Sequence, residues 1–224
     1  MNAFDLSIHP PVVSGVSHGF GRRAMDVVAA SLAAIVFAPL MLLIAFALFL
    51  EGGRPVLFRQ PRIGAGGRMF HIYKFRKFEV LCDPQGPALT SIGDRRLTKI
   101  GRILASTKLD ELPQLWNVLR GDMAIVGPRP ESLAFADCFH GGFEAVLRYK
   151  PGLVGPTQVL FRHEASLYPV SGDLSSFYRE ALFPIKAKFD LSYYPRRTIA
   201  SDVVWMILGF LAVIGWVPVG LLRR

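Results

Sequence analysis

Asp110 and Glu111 are adjacent carboxylates, with Lys99, Arg102 and Lys108 before them and Arg129 after. Acids at a helix start commonly do no more than complement its dipole. With cations on both sides, the same pair can bind Mg²⁺ and offer an oxygen nucleophile to phosphorus. Arg129 sits between two prolines in Gly127-Pro-Arg-Pro-Glu131, so its backbone is stiff and extended. Its guanidinium offers a two-pronged fork that suits a pyrophosphate better than an ammonium does. The plainer reading is a solvated arginine on a rigid connection. Lys74 and Arg76 alternate with Tyr73 and Phe75, a strand period that puts both cations on one face.

Other chemistries find less support. Gly64-Ala-Gly-Gly67 resembles a phosphate loop only in its glycines, since no Gly-Lys-Ser/Thr follows and no helix opens there. The five histidines show no metal-ligand spacing. Cys82 and Cys138 form neither a CxxC motif nor a disulfide framework, which fits a reducing compartment.

The elements that must position these residues are set by where the apolar residues lie. Of 224 residues, 51% are hydrophobic and 19% charged, which excludes disorder. Lys and Arg number 26 against 17 acids, a net charge of +9. Apolar and basic together point to a membrane face with anionic lipids or to a phosphorylated substrate. Charge alone would also fit nucleic acid, but no nucleic-acid motif is present.

Ala24 to Leu50 is apolar apart from Asp26 and Ser31, and Pro39 stands near its middle. As a single helix it is long enough to span a bilayer. Proline, lacking an N–H, predicts a kink. The arms on either side, about 22 Å and about 16 Å as helix, each fall short of a core about 30 Å thick. Both flanks are basic, and residues 54–77 hold seven cations and no acid. The positive-inside rule then places both flanks in the cytoplasm, as a re-entrant hairpin allows; a kinked single span is the alternative. A second apolar stretch, Val203 to Leu222, can span, lie along the interface or pack on the domain.

Between them, residues 51–200 read as a compact α/β domain. Val56–Arg59 and Met69–Phe75 form a hairpin signal across the Gly64–Gly67 bridge. Ile100 to Leu119 has helical spacing, interrupted near Pro113 with Asp110-Glu111 at the restart. A further helix is expected from Ser175 to about Tyr193-Tyr194-Pro195. The organisation expected is an N-terminal segment 1–23, a re-entrant membrane helix 24–50, a cytosol-facing catalytic domain 51–200 and a membrane-associated segment 201–224.

Several segments, in order, resemble the bacterial sugar transferase family, the monotopic polyprenyl-phosphate phosphoglycosyl transferases. They are Phe58-Arg-Gln-Pro-Arg-Ile-Gly64, Ile72-Tyr-Lys-Phe-Arg76, Leu109-Asp-Glu-Leu-Pro-Gln-Leu-Trp-Asn117, Gly121-Asp-Met123 and Val126-Gly-Pro-Arg-Pro-Glu131. Lys150-Pro-Gly-Leu-Val-Gly155 and Phe189-Asp-Leu-Ser-Tyr-Tyr194 match more loosely. The resemblance implies an α/β fold, mostly helical with a short β-hairpin, on a monotopic membrane protein whose re-entrant helix breaks at Pro39. It implies transfer of a sugar-1-phosphate from a UDP-sugar to a polyprenyl phosphate such as undecaprenyl phosphate, with release of UMP. Asp110 is then the nucleophile that forms an aspartyl-phosphosugar, and Glu111 helps hold Mg²⁺ with it. Lys74, Arg76, Arg129, Glu131, Arg162 and Asp190 become substrate-binding residues. The setting implied is the cytoplasmic face of the bacterial inner membrane, in the initiation of a surface glycan. Ala38 and Ala105 stand where many relatives have serine and arginine. Two rivals remain: a membrane phosphohydrolase using the same dyad, and a basic membrane-bound scaffold.

Overall fold

A computed structural model describes residues 10–15, 19–80, 89–91, 93–169 and 171–213. The long helix α1, Phe20–Gly52, contains Pro39 and runs as one element where two arms were expected. At 1.5 Å per residue its 33 residues extend about 50 Å, long and apolar enough to cross a membrane. Its packed stripe recurs every three or four residues: Asp26, Ala30, Ala33, Leu40, Ile44 and Leu48. Leu32, Ile35, Val36, Leu42, Leu43, Phe46 and Leu50 face outward and are exposed.

Strands β1 (Leu57–Ile63) and β2 (Met69–Phe75) form the expected antiparallel hairpin, with Leu57 opposite Phe75 and Ile63 opposite Met69. β1 is longer than the expected Val56–Arg59 run. Pro61 is tolerated because a two-stranded ribbon leaves an edge that needs no donor. Helix α2 (Lys99–Thr107) starts where Thr98 Oγ1 accepts from the Gly101 N–H at 2.8 Å. It ends at Lys108, which takes a left-handed conformation with φ 64°. A 3-10 turn, Leu109–Gln114, leads into α3 (Leu115–Arg120). The expected break therefore comes at Lys108, and Pro113 lies within the tighter turn. A 3-10 turn closes on bonds to the third residue back, so a missing N–H there disrupts less than in an α-helix interior.

Strands β3 (Ala124–Val126) and β4 (Gly152–Val154) pair in parallel. Sequence reading had assigned no strand to either. Their closeness rests on two glycines. A Cβ on Gly127 would lie 2.2 Å from the Lys150 carbonyl oxygen, and one on Gly152 2.1 Å from the Gly127 nitrogen. Helix α4 (Pro156–Leu160) follows at once. The helix expected from Ser175 is present as α5 (Leu174–Phe177), a π-helical turn (Tyr178–Leu182) and α6 (Phe183–Tyr193). The last helix, α7, runs Ile199–Val213. The rest of the second apolar stretch lies outside the described residues, as does Cys82. The architecture is mostly helical with two small sheets.

Three apolar clusters hold it together. One packs Phe135, Phe139, Val146 and Leu147 on Tyr178, Leu182 and Phe183. A second joins Ala30 of α1 to Leu115, Val118, Met123 and Tyr194. The third sets Leu40, Met41, Ile44 and Leu48 of α1 against Phe75, Leu104, Leu109 and Leu112. Both halves of α1 thus pack on one body. Polar contacts fasten both of its ends as well. Near the start, Arg22 pairs with Asp202 at 3.2 Å, Arg23 donates to the Val118 and Leu119 carbonyls, and Asp26 accepts from the Ile125 N–H at 2.9 Å. Near the end, Arg76 donates to the Leu48, Gly53 and Pro55 carbonyls, and Glu51 accepts from the Ile100 N–H at 3.0 Å.

Candidate active site

The turn Leu109–Gln114 is built so that its two kinds of residue face opposite ways. Leu109 and Leu112 pack on the second half of α1. Between them, Glu111 meets cations from two other elements. Its Oε1 accepts from Lys74 Nζ of β2 at 2.7 Å and from Arg129 of the post-β3 loop at 3.3 Å. Lys108, left-handed at the end of α2, redirects the chain into this turn.

The two carboxyls are pushed in opposite directions. Burial opposes ionisation of Glu111, but Lys74, Arg129 and Lys108 together outweigh it and hold its carboxyl well below the usual range. Burial dominates at Asp110 and raises its carboxyl above the ordinary value; Lys74 opposes the shift and Glu111 adds to it. Asp110 is 2% exposed, and its Oδ1 is buried with no hydrogen-bond partner.

These features fit a divalent cation of the magnesium kind. Such an ion takes one or two protein carboxylates and fills its octahedron with waters and substrate phosphate oxygens. The buried, unpartnered Oδ1 of Asp110 beside the Glu111 carboxylate supplies that donor set. Among the described residues no cluster of three His, Cys, Asp or Glu is present, so the remaining ligands must come from water and substrate.

Beside the cations that hold Glu111 lies a cavity of about 190 Å³. Lys74, Lys77, Lys108, Arg129, Arg62 and Arg162 all line it. Burial lowers Lys77 to about 8 and Arg62 to about 10, and Arg62 Nε has no partner. With Lys186 in the far wall, seven cations round one small cavity make a receptor for anionic oxygens. The far wall is a buried polar network. Lys186 donates to Glu164 at 2.9 Å and to Tyr178 Oη at 2.9 Å, and it pairs with Glu131 at 3.6 Å. Tyr168 donates to the other oxygen of Glu164. The π turn carries Tyr178 into this network, a common use of such turns. A larger groove of about 730 Å³, between Val12–Gly15, the hairpin turn and Lys150, shares no residue with this site and lacks a carboxylate pair.

Of the residues singled out from sequence, the structure brings Lys74, Asp110, Glu111, Arg129, Glu131 and Arg162 together. Three others lie elsewhere. Arg76 is buried, its guanidinium spent on the carbonyls that end α1, so it does not share the face and role of Lys74. Asp190 sits behind the cavity wall, accepting from Thr157 Oγ1 at 3.2 Å, and burial raises its carboxyl to about 8. Pro39 lies in α1. Sequence reasoning missed Arg62, Lys77, Glu164, Tyr168, Tyr178 and Lys186. Arg62 and Lys77 extend segments already conspicuous, Phe58–Gly64 and Ile72–Arg76. The other four carry no local signal, because only tertiary packing assembles them.

Comparison with known proteins shows the family. Residues 17–215 match the model of the bacterial sugar transferase family. The chain is 50% identical over 143 residues to the UDP-glucose:undecaprenyl-phosphate glucose-1-phosphate transferase of Caulobacter vibrioides, covering 62% of this chain and 53% of that one. It is 40% identical over 151 residues to the UDP-N-acetylgalactosamine-undecaprenyl-phosphate N-acetylgalactosaminephosphotransferase of Aeromonas hydrophila, covering 66% and 36%. It is 40% identical over 148 residues to the exopolysaccharide production protein PSS of Rhizobium leguminosarum, covering 62% and 72%. The chain thus spans about half the length of the first of these relatives and about a third of the second. With the dyad, its cations and this match over most of the length, the chain belongs to the bacterial sugar transferase family.

Proposed function

We propose that the protein transfers a sugar-1-phosphate from a UDP-sugar to undecaprenyl phosphate, the first step of a surface glycan. The observation that carries this reading is the Asp110-Glu111 pair, whose cations Lys74, Lys108 and Arg129 also line a cavity with four further cations. It is supported by the names of the relatives, which act on UDP-glucose or UDP-N-acetylgalactosamine and undecaprenyl phosphate.

In this reading Asp110 attacks the sugar-linked phosphorus. The bond to the oxygen shared with the inner phosphate breaks, and UMP leaves with that oxygen. An oxygen of the lipid phosphate then attacks the same phosphorus, and the Asp110 carboxylate departs. One pyrophosphate replaces another, so no further energy source is needed. Lys74, Arg129, Lys108, Arg62 and Arg162 hold the phosphate oxygens, a preorganised cationic surround that costs no rearrangement as charge moves. Asp110 is buried in the free protein, so phosphorus reaches it once the lysine ammonium groups turn onto the incoming phosphates. Glu111 and Asp110 would hold a bound Mg²⁺, which would supply further charge neutralisation. Glu131 orients the sugar end through the Lys186 network, and Asp190 acts through Thr157.

The same proposal includes topology. The expected division holds α1 as the membrane-embedded helix, the body to about residue 200 as the catalytic part, and the segment from 201 as membrane-associated. A straight span would put one end of α1 across the bilayer from the body. Fastening of both ends and both halves to that body favours entry and exit on one face, with Pro39 at the turning point and the body in the cytoplasm.

The test is the purified membrane protein with a panel of UDP-sugars, Mg²⁺ and undecaprenyl phosphate, read by UMP release and by sugar appearing in the lipid phase. Lipid-dependent transfer is expected. Equal UMP release without lipid, and no sugar in the lipid fraction, would instead indicate a hydrolase.

A further inference from the structure

A second recess opens from the dyad in a different direction. It is about 70 Å³ in volume and begins at Glu111, Lys108, Arg129 and Arg162. Beyond those charges its walls are aliphatic: Leu153, Val154 and Val159 on one side, Gly209, Ala212 and Val213 of α7 on the other. The small residues shape it. A Cβ on Gly209 would stand 2.5 Å from a Val154 methyl, so α7 presses on β4 there and leaves the recess beside the contact. Arg162 closes the junction, donating to the Val213 carbonyl at 3.3 Å. The outer face of α7 continues the apolar surface through Val203, Ile207 and Phe210, all exposed.

The two recesses share Lys108, Arg129, Gln158 and Arg162 but differ in the rest of their lining. The larger offers Lys186, Glu164, Tyr178 and Thr157, which suit hydroxyl-rich or heteroaromatic groups. The smaller offers hydrocarbon with cations at one end, the profile of a phosphate carrying an aliphatic chain. We propose that the β4–α4–α7 recess is the acceptor's entry path: the first isoprenoid units lie against Leu153, Val159 and α7, and Lys108 and Arg162 receive the phosphate. The donor then enters by the polar cavity, and each substrate reaches the reacting phosphorus by its own path. This assignment rests on the proposed transferase reading.

Separate half-reactions test it. Exchange of labelled UMP into UDP-sugar needs no lipid and reports the donor side; transfer to undecaprenyl phosphate reports the acceptor side. Val213→Asp places a charge at the half-exposed outer end of the recess, and Gly209→Leu adds bulk within it. The expected result is a KM for undecaprenyl phosphate raised at least tenfold by Val213→Asp, with UMP exchange within twofold of the parent. A parent KM that falls between a two-isoprene phosphate and undecaprenyl phosphate, and falls less in the variant, supports the same path. An unchanged lipid KM in both variants, or a raised KM for the UDP-sugar alone, overturns it. Absence of UMP exchange in the parent protein would defeat the transferase reading itself, a different outcome from normal exchange with an unaltered lipid KM.

Discussion

Asp110→Asn should destroy transfer and at the same time make the protein more stable. The substitution is nearly isosteric and leaves Glu111 with both of its cations. In the parent, a carboxyl 2% exposed has one oxygen with no partner, and burial outweighs the attraction of Lys74, Lys77 and Lys108. The folded state therefore disfavours the Asp110 charge at neutral pH, and a neutral amide avoids that cost. An unsatisfied buried acceptor costs about 1–3 kcal/mol, and more when charged. Removing the charged excess is worth on the order of 1 kcal/mol, a rise of about 2–4 °C in Tm for a chain of this size. Activity moves the other way. An amide cannot form the acyl phosphate, and loss of a nucleophile in enzymes that use one costs about 10⁴-fold or more.

Both quantities can be read on one preparation in detergent: Tm from a thermal-shift scan, and UMP exchange without lipid. Exchange must vanish, since it needs only the first displacement. Full exchange in Asp110→Asn would refute the nucleophile assignment. A lower Tm at pH 7 would refute the claim that the Asp110 charge is held against its own preference.

Three further outcomes follow from the same geometry. Lys77 is lowered to about 8 chiefly by burial, with Asp110 opposing, so its charge is lost as pH rises past that value; kcat/KM for the UDP-sugar should fall on an alkaline limb near pH 8, and Lys77→Arg should remove that limb. Asp190 has a folded pKa of about 8 against an ordinary value of 3.8, so its ionisation costs stability as pH rises between the two; Asp190→Asn should raise Tm little at pH 4 and most at pH 8, and a gain that shrinks with pH would contradict the sign. Single cysteines at positions 20 and 54, flanking α1, should both resist an impermeant thiol reagent in intact cells and both react in inverted vesicles, whereas opposite labelling would mean a straight span.

Much of this site was legible in the sequence because its chemistry is local. Asp110, Glu111 and Arg129 sit in short segments whose prolines and charges announce a rigid, anion-holding turn, and Lys74 lies at strand period in a plain hairpin. Arg76 misled for a physical reason: two residues of strand period put it on the face of Lys74, but the open carbonyls at the end of α1 captured its guanidinium. The β3–β4 pair was invisible because three-residue strands carry no periodicity and their contact depends on two glycines far apart in sequence. Lys186, Glu164 and Tyr178 were invisible for a related reason: each is ordinary in its own helix or turn, and only packing of the π turn and α6 against the Glu164 turn brings them to one wall.

The turn that carries the dyad also fixes its depth. A lipid phosphate travels with its chain, so a soluble-face nucleophile must be held at the level where that phosphate rides. In Leu109-Asp-Glu-Leu112 the outer leucines pack on the cluster that holds Ile44 and Leu48 of α1, while Glu111 faces Lys74 and Arg129. Two leucines flanking an acidic pair thus tie the dyad to α1 directly, with no intervening element. Lys74 is tied to the same helix from its own side: Phe75, its neighbour on β2, packs on that third cluster, and Arg76 caps the helix end. The nucleophile and the cation nearest its partner carboxylate therefore share one reference, the second half of α1.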